Sequence, residues 1–194
     1  MGKKVVIMSF SSRNNGNCAA IAEHIDQLHK RTNVLSFQID NDSFPPCGGC
    51  DYECLKKNLV CPNLTDKQKE VMNAICDSEL VYFIIPNYCG YPCANYFAFN
   101  ERSVGYFNLN RSLMEKYMTV QKRFIIVSNS EEHFVQAMQQ QTNDIPDILY
   151  LQSSKYGKQS IAGDILDSDE AKADLEAFLF HDRFLQSYYS TNPL

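Results

Sequence analysis

The run Val5–Cys18, VVIMSFSSRNNGNC, constrains the chain more than any other stretch. Val5, Val6, Ile7 and Met8 form a nearly continuous apolar run, the pattern of a strand buried on both faces of a parallel sheet. A polar loop follows at once. The next segment, CAAIAEHIDQLHK, sets Ala20, Ile21, Ile25 and Leu28 at helical spacing. Strand, polar loop and helix in this order aim backbone N–H groups and a helix dipole at an anion. The loop contains neither GxGxxG nor GxxxxGK[ST], so it is neither a dinucleotide fingerprint nor a P-loop. Ser11, Asn15 and Asn17 offer polar side chains, Gly16 and Cys18 offer backbone N–H groups, and Arg13 adds positive charge. That set suits a single phosphate monoester. Asn17 also stands where a helix N-cap is expected, and the two roles are compatible.

Val34–Ile39 reads as a second strand. The Pro-, Gly- and Cys-rich stretch NDSFPPCGGCDYECLKKNLVCPN reads as a loop, followed by an amphipathic helix capped by Thr65 or Asp66. Leu80–Ile85 is a buried strand expected to end at Pro86, and the aromatic-rich segment 96–117 is partly helical. Phe124–Val127 and Ile148–Leu151 are further strands, with helices expected over 131–141 and 169–188. Alternating strands and helices imply one α/β domain over residues 1–194, with a five-stranded parallel sheet in the order 2-1-3-4-5. Ligands of such sheets sit beyond the carboxyl ends of the strands.

Ser11, Arg13, Gly16 and Asn17 stand as S-x-R-x-x-G-N, which resembles the phosphate loop of the NADPH-dependent FMN reductases, a branch of the flavodoxin-like proteins. Cys18 stands where that family usually has Thr. Pro86-Asn87-Tyr88-Cys89-Gly90, followed by Glu101-Arg102, resembles the family's second flavin loop, P-x-Y-x-G with a later acidic–Arg pair. The resemblance implies a flavodoxin-like three-layer sandwich, FMN as cofactor and NAD(P)H as co-substrate. It places residues 86–90 along the isoalloxazine ring, with Tyr88 against it. Ser128 offers a third contact, although Ser128-Asn129-Ser130 reads equally as a helix cap. Hydride transfer needs no protein acid or base, so no catalytic residue is assigned.

Cys47-x2-Cys50-x3-Cys54-x6-Cys61 places four thiols on one Gly/Pro-rich loop. Four thiolates satisfy either zinc or an iron–sulfur cluster. The spacing resembles the compact C-x2-C-x2-C…C set of the iron–sulfur flavoproteins, which implies a [4Fe–4S] cluster near the flavin. The second gap here is three residues rather than two. A cluster, a structural zinc and unligated thiols all remain open, and metal binding is expected to be what orders this loop. Cys18, Cys76, Cys89 and Cys93 read as packing residues, and the four histidines as surface or cap residues.

A net charge of −5 and a pI of about 5.3 argue against nucleic acid or an anionic membrane as partner. No apolar run is long enough to span a bilayer, and the N-terminus leads directly into a strand, leaving no room for a signal peptide. Eight cysteines in such a chain imply reduced thiols and a cytoplasmic setting. The expected function is an FMN-dependent oxidoreductase, taking hydride from NAD(P)H and passing electrons to a flavin, quinone-like or iron–sulfur acceptor. A non-enzymatic FMN/iron–sulfur electron carrier and a zinc-stapled binding protein without flavin are the alternatives. Tyr96, Phe97, Phe99, Tyr106 and Phe107 look too numerous for one helical face to bury, which implies a homodimer or homotetramer with this segment near the contact.

Overall fold

The computed structural model describes residues 4–30, 32–40, 42–44, 46–48, 50–56, 61–63, 66–108, 110–129, 138, 141–143 and 145–181. The strands are β1 (Lys4–Ser9), β2 (Asn33–Gln38), β3 (Leu80–Tyr88), β4 (Tyr91–Pro92), β5 (Gln121–Ser128) and β6 (Asp147–Gln152). The helices are α1 (Asn17–Leu28), α2 (Glu53–Lys56), α3 (Asp66–Cys76), α4 (Ala94–Phe107), α5 (Arg111–Thr119) and α6 (Asp169–Phe180). The helix expected over 131–141, with His133 and Ser130, lies outside the described residues, as does the last helix's extension beyond residue 181.

The five long strands run parallel in the order β2-β1-β3-β5-β6, which is the expected flavodoxin-like winding. The unexpected strand is β4, a two-residue antiparallel partner at the end of β3. Strand residues alternate between two cores, as a period of two requires. Val6, Met8, Phe83 and Ile126 pack with Val71 and Ile75 of α3 and with Tyr96 and Phe99 of α4. Val5, Ile7, Tyr82 and Ile84 pack on the other face with Ile21 and Ile25 of α1 and Leu175 and Leu179 of α6. The result is a three-layer sandwich.

Strand β3 does not stop at Pro86; Pro86 pairs with Val127 and the strand continues to Tyr88. Ile84 and Pro86 present their backbone groups to the same side of β3, the side on which β1 has already ended, so the missing N–H breaks no ladder bond. The aromatic segment also differs from expectation. Tyr96, Phe99 and Phe107 are buried, while Phe97 is exposed. Phe10 and Phe44 come from loops to meet them, with Phe10–Tyr96 centroids 5.4 Å apart and Phe44–Phe99 centroids 5.6 Å apart. These rings therefore fill a core and do not by themselves argue for an interface.

His29 takes one of the two roles expected of the histidines, the C-cap of α1, and is only 3% exposed there. Its Nε2 lies 3.2 Å from the Tyr82 hydroxyl, and burial pushes its pKa down to about 4. His24 is placed against Glu176 of α6 at 3.0 Å. Among the described residues no helix is long and apolar enough to cross a membrane.

Candidate functional site

The loop after β1 leads into a largely buried donor set. Gly16 is the N-cap of α1, with extended backbone (φ −93°, ψ 176°), and no side chain from it caps the helix. Its carbonyl accepts from the Ala19 and Ala20 N–H groups, and the first turn of α1 carries no acidic residue. The helix start is therefore electropositive and without a side-chain acceptor of its own. The Arg13 N–H donates to Ser11 Oγ at 3.2 Å. The Arg13 side chain lies over Gly16, its Nε 3.9 Å from where a Cβ would stand, and it pairs with no carboxylate among the described residues.

Asn17 is the first helical residue rather than the N-cap. Its buried Nδ2 donates to the Gln159 carbonyl at 3.0 Å, and its Oδ1 accepts from the Ile165 N–H at 3.0 Å. The side chain thus tethers the 157–165 segment, leaving the Asn17 backbone N–H as what it can offer an anion. Gly163, at φ 78°, presses on the phosphate-type loop so closely that a Cβ there would stand 2.3 Å from the Asn15 carbonyl oxygen. The Ser160 N–H donates to Asn129 Oδ1 at 3.1 Å, fixing the segment to the end of β5.

The second loop is a tight hairpin. Cys89 (φ 52°) and Gly90 (φ 83°) both have positive φ, as a type I′ turn between β3 and β4 requires. It presents Tyr88, 50% exposed, and Tyr91, 67% exposed. Asn87 Nδ2 donates to Ser128 Oγ at 3.1 Å, while its buried Oδ1 has no partner among the described residues. Asn95, in the first turn of α4, holds its Nδ2 within 3.2 Å of the Phe10 carbonyl and 3.0 Å of Ser12 Oγ, so α4 braces the first loop.

Ser11, Arg13, Gly16, Asn17 and Cys18 meet Pro86, Asn87 and Tyr88 around one small space, closed by Val127 and Ser160. Ser128 reaches it through Asn87; Asn15, Cys89 and Gly90 do not line it. Ser160 and its segment carry no motif and no apolar periodicity, and only the two glycines, Gly157 and Gly163, mark them in the sequence. The cavity is about 10 Å³, room for one water, and the half-buried Arg13 side chain stands at its edge over Gly16. Burial pushes the Cys18 thiol up to about 12, which removes it as a nucleophile.

The four predicted cysteines ring a separate cavity of about 320 Å³, with Glu101, Arg102 and Gly105 of α4 as its wall. Helix α4 grips the cysteine loop at several points. Glu101 Oε2 accepts from the Cys47 N–H at 3.1 Å, Asn108 Nδ2 donates to the Cys54 carbonyl, and Arg102 Nη2 donates to the Asn63 carbonyl. A Cβ on Gly105 would stand 2.8 Å from Cys61 Cβ. Residues 101, 105 and 108 follow helical i, i+4, i+7 spacing, so a single face of α4 holds the loop. The expectation that metal alone orders this loop is corrected: protein side chains hold its backbone, and α2 gives it a turn of helix. All eight cysteines are free thiols. Among the described residues no group of three or more His, Cys, Asp or Glu side chains is placed to hold a metal ion.

A further cavity of about 560 Å³ between α4 and α5 is lined by Phe107, Arg111, Met114 and Tyr117 and touches neither flavin-type loop.

No protein-family model matches the sequence, and no curated protein matches it. The fold has many solved relatives. The Trp repressor binding protein from Bacillus subtilis is similar at TM-score 0.62 and 13% identity, covering 92% of this chain and 99% of that one. A putative quinone reductase from Klebsiella pneumoniae is similar at TM-score 0.57 and 10% identity, covering 93% and 85%. An azoreductase from Bacillus anthracis str. Sterne is similar at TM-score 0.53 and 14% identity, covering 92% and 96%. At these identities the likeness establishes the flavodoxin-like fold.

Proposed function

We propose that this chain is an FMN-dependent oxidoreductase that accepts hydride from NAD(P)H and delivers electrons to a flavin, quinone-like or iron–sulfur acceptor. One observation carries the reading. At the carboxyl ends of β1, β3 and β5 an uncapped helix start, a cation and a buried acceptor face one space, and among the described residues the cation has no carboxylate and the acceptor no donor. The residues fit the two polar ends of FMN. Ser11, Arg13 and the first-turn N–H groups of α1 suit the phosphate, and Asn87 Oδ1 suits an imide N–H on the ring edge. Tyr88 and Tyr91 supply aromatic faces at the open side. When bound, the flavin supplies hydride acceptance and onward electron transfer. The protein's part is to bind, orient and shield. Neighbours that bear the names azoreductase and putative quinone reductase accord with a reductase on this winding.

A [4Fe–4S] cluster in the four-cysteine cavity is proposed as part of the same reading. Its donor set is four thiols around a space, its wall contains a buried guanidinium Nε without a partner among the described residues, and Gly105 makes room for Cys61. A homodimer or homotetramer in the cytoplasm is proposed with it; Phe97, Val104 and Met114 are the exposed apolar residues of the α4–α5 segment. The visible spectrum of anaerobically purified protein tests the reading. Flavin bands that bleach with NADH or NADPH, over broad iron–sulfur absorption, are expected. Protein that neither carries flavin nor takes up added FMN would end it.

A further inference from the structure

A cation inside a protein needs an anion. Arg102 of α4 is 3% exposed, and among the described residues it pairs with no carboxylate. Its Nη2 donates to the Asn63 carbonyl, while its Nε–H is buried without a partner among the described residues. Glu101, its neighbour in sequence, is exposed at the rim, and its carboxylate is engaged by the Cys47 N–H. A buried guanidinium left in this state carries a desolvation cost that a protein offsets with nearby negative charge. The cavity that Arg102 lines offers one source of it, the sulfurs of Cys47, Cys50, Cys54 and Cys61.

We propose that Arg102 is the positioning and charge-balancing residue of the four-thiol cavity, favouring the more reduced, more negative state of an iron–sulfur cluster bound there. The inference rests on the cluster reading above and adds to it a role for this one side chain. Four thiolates around a [4Fe–4S] core give a net negative group, and reduction makes it more negative still. A fixed guanidinium beside it therefore raises the reduction potential, as net charge and hydrogen bonds to the sulfurs do in general. The bond to Asn63 holds the guanidinium where the loop closes after Cys61.

The test uses full-length wild type, Arg102→Gln and Arg102→Lys, all purified anaerobically, with iron content and an EPR-monitored redox titration as readouts. Arg102→Gln is expected to lower the equilibrium constant for cluster reduction about ten-fold, which for a one-electron couple is a potential about 59 mV more negative. Arg102→Lys, which keeps the charge, is expected to stay near wild type. Loss of iron in Arg102→Gln but not in Arg102→Lys would support the same role, exerted at assembly. Equal potentials in wild type and Arg102→Gln would overturn the role of Arg102 and leave the cluster reading standing. Loss of iron in both variants would overturn it too, reducing Arg102 to a tether for Asn63. Wild-type protein without iron would overturn the cluster reading itself, and this inference with it.

Discussion

Replacing Gly163 by alanine is expected to loosen the whole cover of the candidate phosphate site. Two costs apply. At φ 78° an L residue sits in the left-handed region, which costs about 1–2 kcal/mol. The new Cβ would also stand 2.3 Å from the Asn15 carbonyl oxygen, a backbone atom that cannot rotate away. The 157–165 segment must then lift, giving up the two Asn17 side-chain bonds to Gln159 and Ile165. Each such bond is worth about 0.5–1.5 kcal/mol net. Together these put the loss at about 2–5 kcal/mol, reaching the upper end for a single substitution. Gly157→Ala is the control, because Gly157 has φ 66° with nothing within 4 Å of its would-be Cβ, so only the backbone cost of about 1–2 kcal/mol applies. Urea unfolding gives the two stabilities, and hydrogen exchange at the Ile165 amide reports whether the segment has lifted. Equal stability losses in the two variants, with Ile165 still protected in Gly163→Ala, would refute the seating of this segment on Asn15.

Arg13→Ala should weaken FMN binding by about 1.5–3 kcal/mol, the worth of a hydrogen bond to a charged group, and leave riboflavin binding unchanged in a fluorescence titration. Gly105→Ala should displace Cys61 and lower iron content in elemental analysis, while stability changes little, since a gain in helix propensity of about 1 kcal/mol offsets part of the clash. His29 is buried neutral with its pKa lowered from 6.5 to about 4, so its contribution is full above pH 6.5 and is lost as pH falls through about 4. Wild type should therefore lose about 3 kcal/mol more than His29→Gln across that window in denaturant titrations, at roughly 1.4 kcal/mol per unit.

Strand β1 was legible because its four apolar residues are consecutive and its loop, Phe10 apart, is polar. The parallel winding followed from the alternation of strands and helices. Strand β4 was not legible, since two residues flanked by turn-formers carry no periodicity. Pro86 looked like a strand end because local rules ignore which neighbouring strand has stopped. The aromatics of α4 looked surplus to one domain because the rings that meet them, Phe10 and Phe44, come from loops distant in sequence. The same limit hid the grip of Glu101, Arg102, Gly105 and Asn108 on the cysteine loop, which spans up to 54 residues of separation. Asn17 was placed at the site by its motif, but its tie to Gln159 and Ile165 spans 142 and 148 residues and left no local mark.

Side-by-side titration of flavin-free wild-type protein with FMN and riboflavin, followed by quenching of flavin fluorescence, tests the central claim most directly. The expected result is saturable binding of FMN at least about ten-fold tighter than riboflavin, because phosphate contacts at Arg13 and the α1 start contribute 1.4 kcal/mol or more. Equal affinity for the two flavins, or no binding of either, would contradict it.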